Sequence, residues 1–187
     1  MIPIGVSNRH IHLTREDLDR LFGEGYQLTT AKELSQPGEF AANETVRVIG
    51  PKGEFPAVRI LGPLRKFTQL EISKTDSFSL GVKAPLRASG KIAGTPGIKL
   101  VGPKAELEIQ EGVIVAERHI HMTQADAAKY NVQDGDYVSV KSAGERSLVF
   151  NQVLIRVKDT YALDMHIDTD EANAAGLRTG DQVEIMK

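Results

Sequence analysis

A chain of 187 residues that is 41% hydrophobic and 26% charged is long enough for one substantial core or two small ones. A net charge of -2, a pI near 6.2 and the absence of Trp exclude the basic field and stacking surface that dominate nucleic-acid binding. No apolar run reaches the roughly 20 residues of a membrane span, and Met1 to His10 lack the apolar stretch of a secretory signal, so the expectation is a cytoplasmic protein with no membrane partner.

The chain opens on Gly5-Val6-Ser7-Asn8-Arg9 and runs into His10-Ile11-His12. Thr14 then has an acid three residues on, Asp17, followed by Leu18, Leu21 and Phe22 at helical spacing, which predicts a short capped helix. Glycine and proline mark turns at Gly50-Pro51-Lys52-Gly53, Gly62-Pro63, Gly94-Thr95-Pro96-Gly97 and Gly102-Pro103. Between and beyond them, runs rich in Val, Ile and Leu predict strands at 45–49, 57–61, 97–101, 106–109, 113–116, 137–141 and 153–157. Many short strands and few short helices point to barrels or sandwiches.

An internal repeat organises the rest. Arg9-His10-Ile11-His12-Leu13-Thr14 returns as Arg118-His119-Ile120-His121-Met122-Thr123, again with an acid three residues after the Thr, Asp126. A weaker third copy aligns His166 with His121 and superposes 179–185 on 134–140, with Asp164 standing where a first histidine would be. All five histidines fall in these copies, which predicts that three equivalent positions deliver imidazoles to one region.

In an extended strand, residues two apart point to the same side, so each His-Ile-His presents two imidazoles together. A single histidine is more often a capping or core residue held by hydrogen bonds, but nothing structural requires histidine at both positions of two separate copies. Two neighbouring imidazoles are half of a metal site, and a catalytic zinc takes three protein ligands and leaves one position open. With no cysteine in the chain, disulfides, thiolate ligands and a cysteine nucleophile are excluded. No G-x-G-x-x-G follows a strand, no G-x-x-x-x-G-K-[ST] occurs, and Ser7 lacks the second glycine of a nucleophile elbow, which disfavours dinucleotide enzymes, P-loop NTPases and serine hydrolases. Amidohydrolase barrels also begin with His-x-His, but need about 250 residues.

Four separated segments, 5–12, Leu61-Gly-Pro-Leu-Arg-Lys66, 118–122 and 165–175, together resemble the PduL-type phosphotransacylase (phosphate propanoyltransferase) family, and the similarity runs through essentially the whole chain. The resemblance implies a mainly β fold of two small β-barrels with short capping α-helices and the active site between them. Barrel 1 would comprise residues 1–8 and 117–187, and barrel 2 residues 9–116.

The same resemblance implies two zinc ions per chain, one held by His10, His12 and Glu71 and the other by His119, His121 and His166. On sequence alone, Glu71 alternates with apolar residues as on any solvated sheet face. It also implies that Arg65 is the catalytic arginine that binds phosphate, whereas from the residues alone a surface arginine in a Gly-Pro turn is the favoured reading. Ser7, Lys32, Arg59, Leu61 and Asn173 match positions that line the coenzyme A pocket.

The implied activity interconverts acyl-CoA, acetyl or propionyl, plus phosphate with acyl phosphate plus CoA, by direct attack of phosphate on the thioester. The implied assembly is a homodimer or larger homo-oligomer. The chain starts almost directly on the Pro-x-Gly-Val-Ser-Asn-Arg segment, as expected of a family version without a microcompartment-targeting extension. Two alternatives rest on the same ligands: a metal-dependent hydrolase of acyl phosphate or thioester, and a non-catalytic cupin-like metal-binding module using His10, His12 and Glu16, whose second motif is not found.

Overall fold

The computed structural model of the protein describes residues 1–186. In chain order the elements are β1 (Ile2–Ser7), β2 (His10–His12), α1 (Arg15–Phe22), β3 (Thr30–Glu33), β4 (Phe40–Ile49), β5 (Glu54–Gly62), β6 (Gln69–Glu71), α2 (Lys74–Leu80), β7 (Leu86–Arg87), β8 (Ile98–Val101), β9 (Glu106–Ile109), β10 (Val113–Ala116), β11 (His119–Met122), α3 (Gln124–Tyr130), β12 (Tyr137–Lys141), β13 (Val149–Val157), β14 (Asp164–Asp168), α4 (Thr169–Ala175) and β15 (Gln182–Ile185). Each strand expected from the Val, Ile and Leu runs is present, and β4, β5 and β13 begin several residues earlier than their apolar cores. No helix among the described residues is long and apolar enough to cross a membrane.

The chain divides into two compact units, one of Met1–Asn8, Ser35–Pro37 and Glu117–Lys187, the other of Arg9–Leu34 and Gly38–Ala116. In the first unit, six strands close into a barrel in the order β1-β14-β11-β13-β12-β15. β1 supplies the closing staves, running parallel to β14 and antiparallel to β15. Alternation sorts the side chains: Ile120, Met122, Met165 and Ile167 enter the barrel core with Ile2, Ile4, Phe150 and Val183, so His119, His121, Asp164 and His166 point to the opposite face. The segment Ser35–Pro37 joins this unit through Gln36, which donates to the Ala162 carbonyl at 3.0 Å and accepts from its N–H at 3.1 Å.

The second unit is a sheet in the order β7-β10-β6-β2-β5-β4-β8-β9, with β3 added on β4. It curls into a half-barrel rather than closing as the first unit's sheet does. Closure needs the two outer strands to pair with each other, and β7, two residues long, ends its own ladder on β10 after two residue pairs. Ile11, Leu13, Val48, Ile60, Leu70 and Leu100 fill its concave core together with Leu18 and Leu21 of α1.

The two units repeat one construction. β2 pairs antiparallel with β6, placing His10 opposite Glu71 and His12 opposite Gln69, while β11 pairs antiparallel with β14, placing His119 opposite His166 and His121 opposite Asp164. Each His-x-His strand also runs parallel to the second strand of a hairpin, β5 or β13. The arginine before each pair grips the first turn of the helix that follows the partner strand: Arg9 donates to Asp76 at 3.0 and 2.7 Å, and Arg118 to Glu171 at 2.7 Å. Even the ring beneath each guanidinium is repeated, with Phe55 under Arg9 at 4.1 Å and Phe150 under Arg118 at 5.8 Å.

Asp76 is buried, accepts both Arg9 bonds and completes the capping box of α2 with Ser73. Its removal would leave a guanidinium and a helix end without their shared partner. Asp76→Ala should therefore cost about 3 kcal/mol of stability. Urea denaturation checks this: an unchanged midpoint would mean the clamp is a surface pair of no consequence.

Candidate metal centres

Four of the candidate ligand side chains stand near the end of a strand, two residues before a helix cap. Thr14 caps α1 by accepting from the Asp17 N–H, Thr123 caps α3 from Asp126, Asp168 caps α4 from Glu171 and Ser73 caps α2 from Asp76. The residues two before these caps are His12, His121, His166 and Glu71. Because the cap fixes where extended backbone turns into helix, it also fixes the side chain just upstream. Glu71-x-Ser73-x-x-Asp76 is thus a fourth copy of the repeat with a carboxylate in the histidine's place, a signal legible in the sequence as a capping box but hidden by the change of ligand.

Among the described residues, two groups of donor atoms converge to within 4.8 Å of one another: His10, His12 and Glu71 in the second unit, and His119, His121 and His166 in the first. In the first of these groups, His10 Nε2 lies 3.4 Å from Glu71 Oε2, and His12 Nε2 lies 3.8 Å from Glu71 Oε1. A tetrahedral ion with bonds of about 2.0–2.1 Å needs donors roughly 3.3–3.4 Å apart, so this set fits zinc with little rearrangement. The Glu16 of a cupin-like pattern lies instead in the first turn of α1, and the third donor is Glu71.

Electrostatics prepare this group for a cation. Burial first, then the charges of His10 and Arg65, lower His12 to about 3, so its imidazole is neutral and a lone pair is available at neutral pH. Burial opposes ionisation of Glu71, but the charge and hydrogen bond of His10, with His12 and Ser89, outweigh it and hold the carboxyl well below the usual carboxylate range. Stability should follow in sign. Between the ordinary histidine value of 6.5 and about 3, the unfolded chain takes up a proton at His12 that the folded chain refuses, and Glu71 adds to the loss below 4.5. Metal-stripped protein should therefore lose stability as pH falls from 7 toward 4, by up to about 1.4 kcal/mol per pH unit for each proton. Urea midpoints at several pH values measure the slope, and a flat profile would contradict the buried neutral imidazole.

The second group is built of three imidazoles. His119 Nδ1 lies 2.8 Å from the Glu117 carbonyl, which fixes that nitrogen as the N–H donor and leaves the Nε2 lone pair for an ion. The His119 and His166 rings stack with centroids 5.1 Å apart, His121 stacks on Tyr161 at 4.2 Å, and His166 Nε2 is 3.5 Å from Asp164 Oδ2. Burial pushes the Asp164 carboxyl up, while Ser35 and His119 oppose that rise.

Arg65 is tied to the His10, His12 and Glu71 group. Its backbone N–H donates to the Leu13 carbonyl at 2.9 Å, and its Nη1 donates to Ser89 Oγ at 3.2 Å, whose hydroxyl donates to Glu71 Oε1 at 2.9 Å. Its Nη2 holds a carboxylate oxygen of Glu39 at 3.2 Å. Arg59 and Leu61 lie on β5 on the face of His10, since His10 and Arg59 are register partners, and Arg59 also donates to the carbonyls of Ala42 and Asn43 at 2.9 and 2.8 Å. Lys32 is exposed on β3. Ser7 ends β1 opposite Asp168, and Asn173 is exposed on α4, both in the first unit. Sequence reasoning did not single out Gln69, which donates to Glu71 at 2.6 Å and to Ser89 at 2.8 Å, or Ser89 itself.

A mainly β chain whose two units each bring imidazoles together offers two candidate metal-ligand groups on a β framework. The sequence profile of the phosphate propanoyltransferase family matches residues 3–178. A phosphate propanoyltransferase of Thermotoga maritima is 58% identical over 187 residues, covering all of this chain and 89% of the relative. Those of Salmonella typhimurium and Listeria monocytogenes are 58% and 50% identical, over 94% and 100% of this chain and 83% and 87% of theirs. The chain belongs to the phosphate propanoyltransferase family, a family of acyltransferases.

Proposed function

We propose that this protein is a zinc-dependent phosphate acyltransferase that interconverts acyl-CoA, acetyl or propionyl, plus phosphate with acyl phosphate plus CoA. Membership of the family supports the reaction class. The observation that carries the site is the chain of contacts from Arg65 through Ser89 to Glu71, which puts a guanidinium beside the His10, His12 and Glu71 donors.

Arg65 is the phosphate clamp in this reading. Its planar fork suits two phosphate oxygens, and its Nη2 already holds an anionic oxygen of Glu39. Zinc held by His10, His12 and Glu71 and by His119, His121 and His166 would supply positive charge that neutralises the anionic reactants and polarises a bound oxygen. With phosphate oriented on Arg65, one of its oxygens bonds to the thioester carbonyl carbon, the C–S bond breaks, and CoA leaves as thiolate to take up a proton. No cysteine exists to form an acyl-enzyme, and the chain's contribution is orientation and charge. Ser7, Lys32, Arg59, Leu61 and Asn173 are assigned to coenzyme A, and a homodimer or larger homo-oligomer completes the reading.

Chelation followed by stepwise return of zinc tests the metal requirement: transfer should vanish and return with two equivalents per chain. Full activity in verified metal-free protein would refute it. Release of free acid from acyl phosphate without coenzyme A would instead establish a hydrolase.

A further inference from the structure

The four side chains on the outward face of each His-x-His strand and its partner form a square. In the second unit its corners are His10, His12, Gln69 and Glu71; in the first they are His119, His121, Asp164 and His166. Each square contains one carboxylate, but on a different corner. Glu71 stands opposite the first histidine, whereas Asp164 stands opposite the second.

The first unit is shaped around this carboxylate. Asp164 is buried, with 4% of its surface exposed. Its Oδ2 accepts from Ser35 Oγ at 2.5 Å and lies 3.5 Å from His166 Nε2. Gly5, the register partner of His166 on β1, leaves the room: a Cβ there would sit 2.9 Å from Asp164 Oδ2 and 3.4 Å from both Cγ and Oδ1. A buried acid with a dedicated hydroxyl donor, a glycine that vacates its space and a metal-type imidazole beside it is more than the barrel core requires, since Asp164 lies on the face away from Met165 and Ile167.

We propose that Asp164 is a positioning residue of the tri-histidine metal centre. Its carboxylate, held by Ser35 in the space that Gly5 leaves, fixes the His166 ring and supplies this centre with the negative charge that Glu71 supplies directly to the other. The inference rests on the two-metal reading of the preceding section. Partners of this kind, set behind a metal-ligating histidine, change metal affinity by about 10–100-fold when removed.

Two variants test it in the full chain. Asp164→Asn keeps the shape and a hydrogen-bond acceptor for Ser35 while removing the charge. Gly5→Ala keeps the carboxylate and displaces it. Cobalt(II) titration in competition with a chromophoric chelator reads both ions, and His119→Ala/His121→Ala identifies which belongs to the tri-histidine centre. Both variants should weaken that ion by about 10–100-fold and shift its visible bands, with the other ion and the thermal unfolding of metal-free protein unchanged. Wild-type affinity and spectrum for both ions in both variants would overturn the role of Asp164 alone. A wild-type chain that binds no second ion would overturn the two-metal reading and this inference with it.

Discussion

His10→Ala/His12→Ala should leave one bound metal ion per chain instead of two and lower kcat for acyl transfer by about 10³-fold or more. The two imidazoles and Glu71 converge to within 4.8 Å, so a lone carboxylate remains once they are gone. A single buried carboxylate cannot hold a divalent ion against water at neutral pH. The fold should survive, because Ile11 and Leu13, not the histidines, fill the core from this segment. Metal analysis beside circular dichroism separates loss of the ion from loss of structure. Two ions in the folded double variant would remove this centre from the account.

Arg65→Ala should lower kcat by about 10²–10³-fold at saturating coenzyme A, with both ions retained. The guanidinium makes no bond to an imidazole of the centre; it reaches Glu71 only through Ser89, and Gln69 also donates to Glu71 and Ser89. The His10, His12 and Glu71 group therefore keeps its other contacts when Arg65 is shortened. Arg65→Lys should recover only part of the loss, since one ammonium cannot reproduce a two-point contact with phosphate. Steady-state kinetics with phosphate varied check this, and wild-type kcat in Arg65→Ala would exclude the phosphate clamp.

The histidine centres were legible in the sequence to different depths for a physical reason. His121 and His166 stand two residues before a helix cap as His12 does, and His119 repeats His10, so the repeat draws the histidines together, while their division into two ligand sets came from the family resemblance. Glu71 occupies the identical structural position before Ser73 and Asp76, but with a different donor, and only the family resemblance drew attention to it. Asp164 was visible merely as the residue standing in place of a histidine; its burial, its bond to Ser35 and the vacancy at Gly5 depend on pairing between strands far apart in the chain.

Local signals also located strands better than they located closure. The runs at 106–109, 113–116 and 137–141 match β9, β10 and β12 residue for residue, because turn residues bound them tightly. Whether a sheet closes is decided by its outermost strands finding each other. The first unit achieves this by recruiting β1 from the opposite end of the chain, while the second ends on β7 and β9, and no local pattern distinguishes these outcomes. The Arg9–Asp76 and Arg118–Glu171 clamps were likewise invisible, although each arginine was part of the repeated segment, since their acids lie 67 and 53 residues away.

Transfer of an acyl group between phosphate and coenzyme A is tested most directly by thioester absorbance on mixing zinc-replete protein with propionyl phosphate and coenzyme A. The expected result is a steady rise that stops when coenzyme A is omitted and falls by about 10²-fold or more in Arg65→Ala. No rise from folded protein carrying both ions would contradict it.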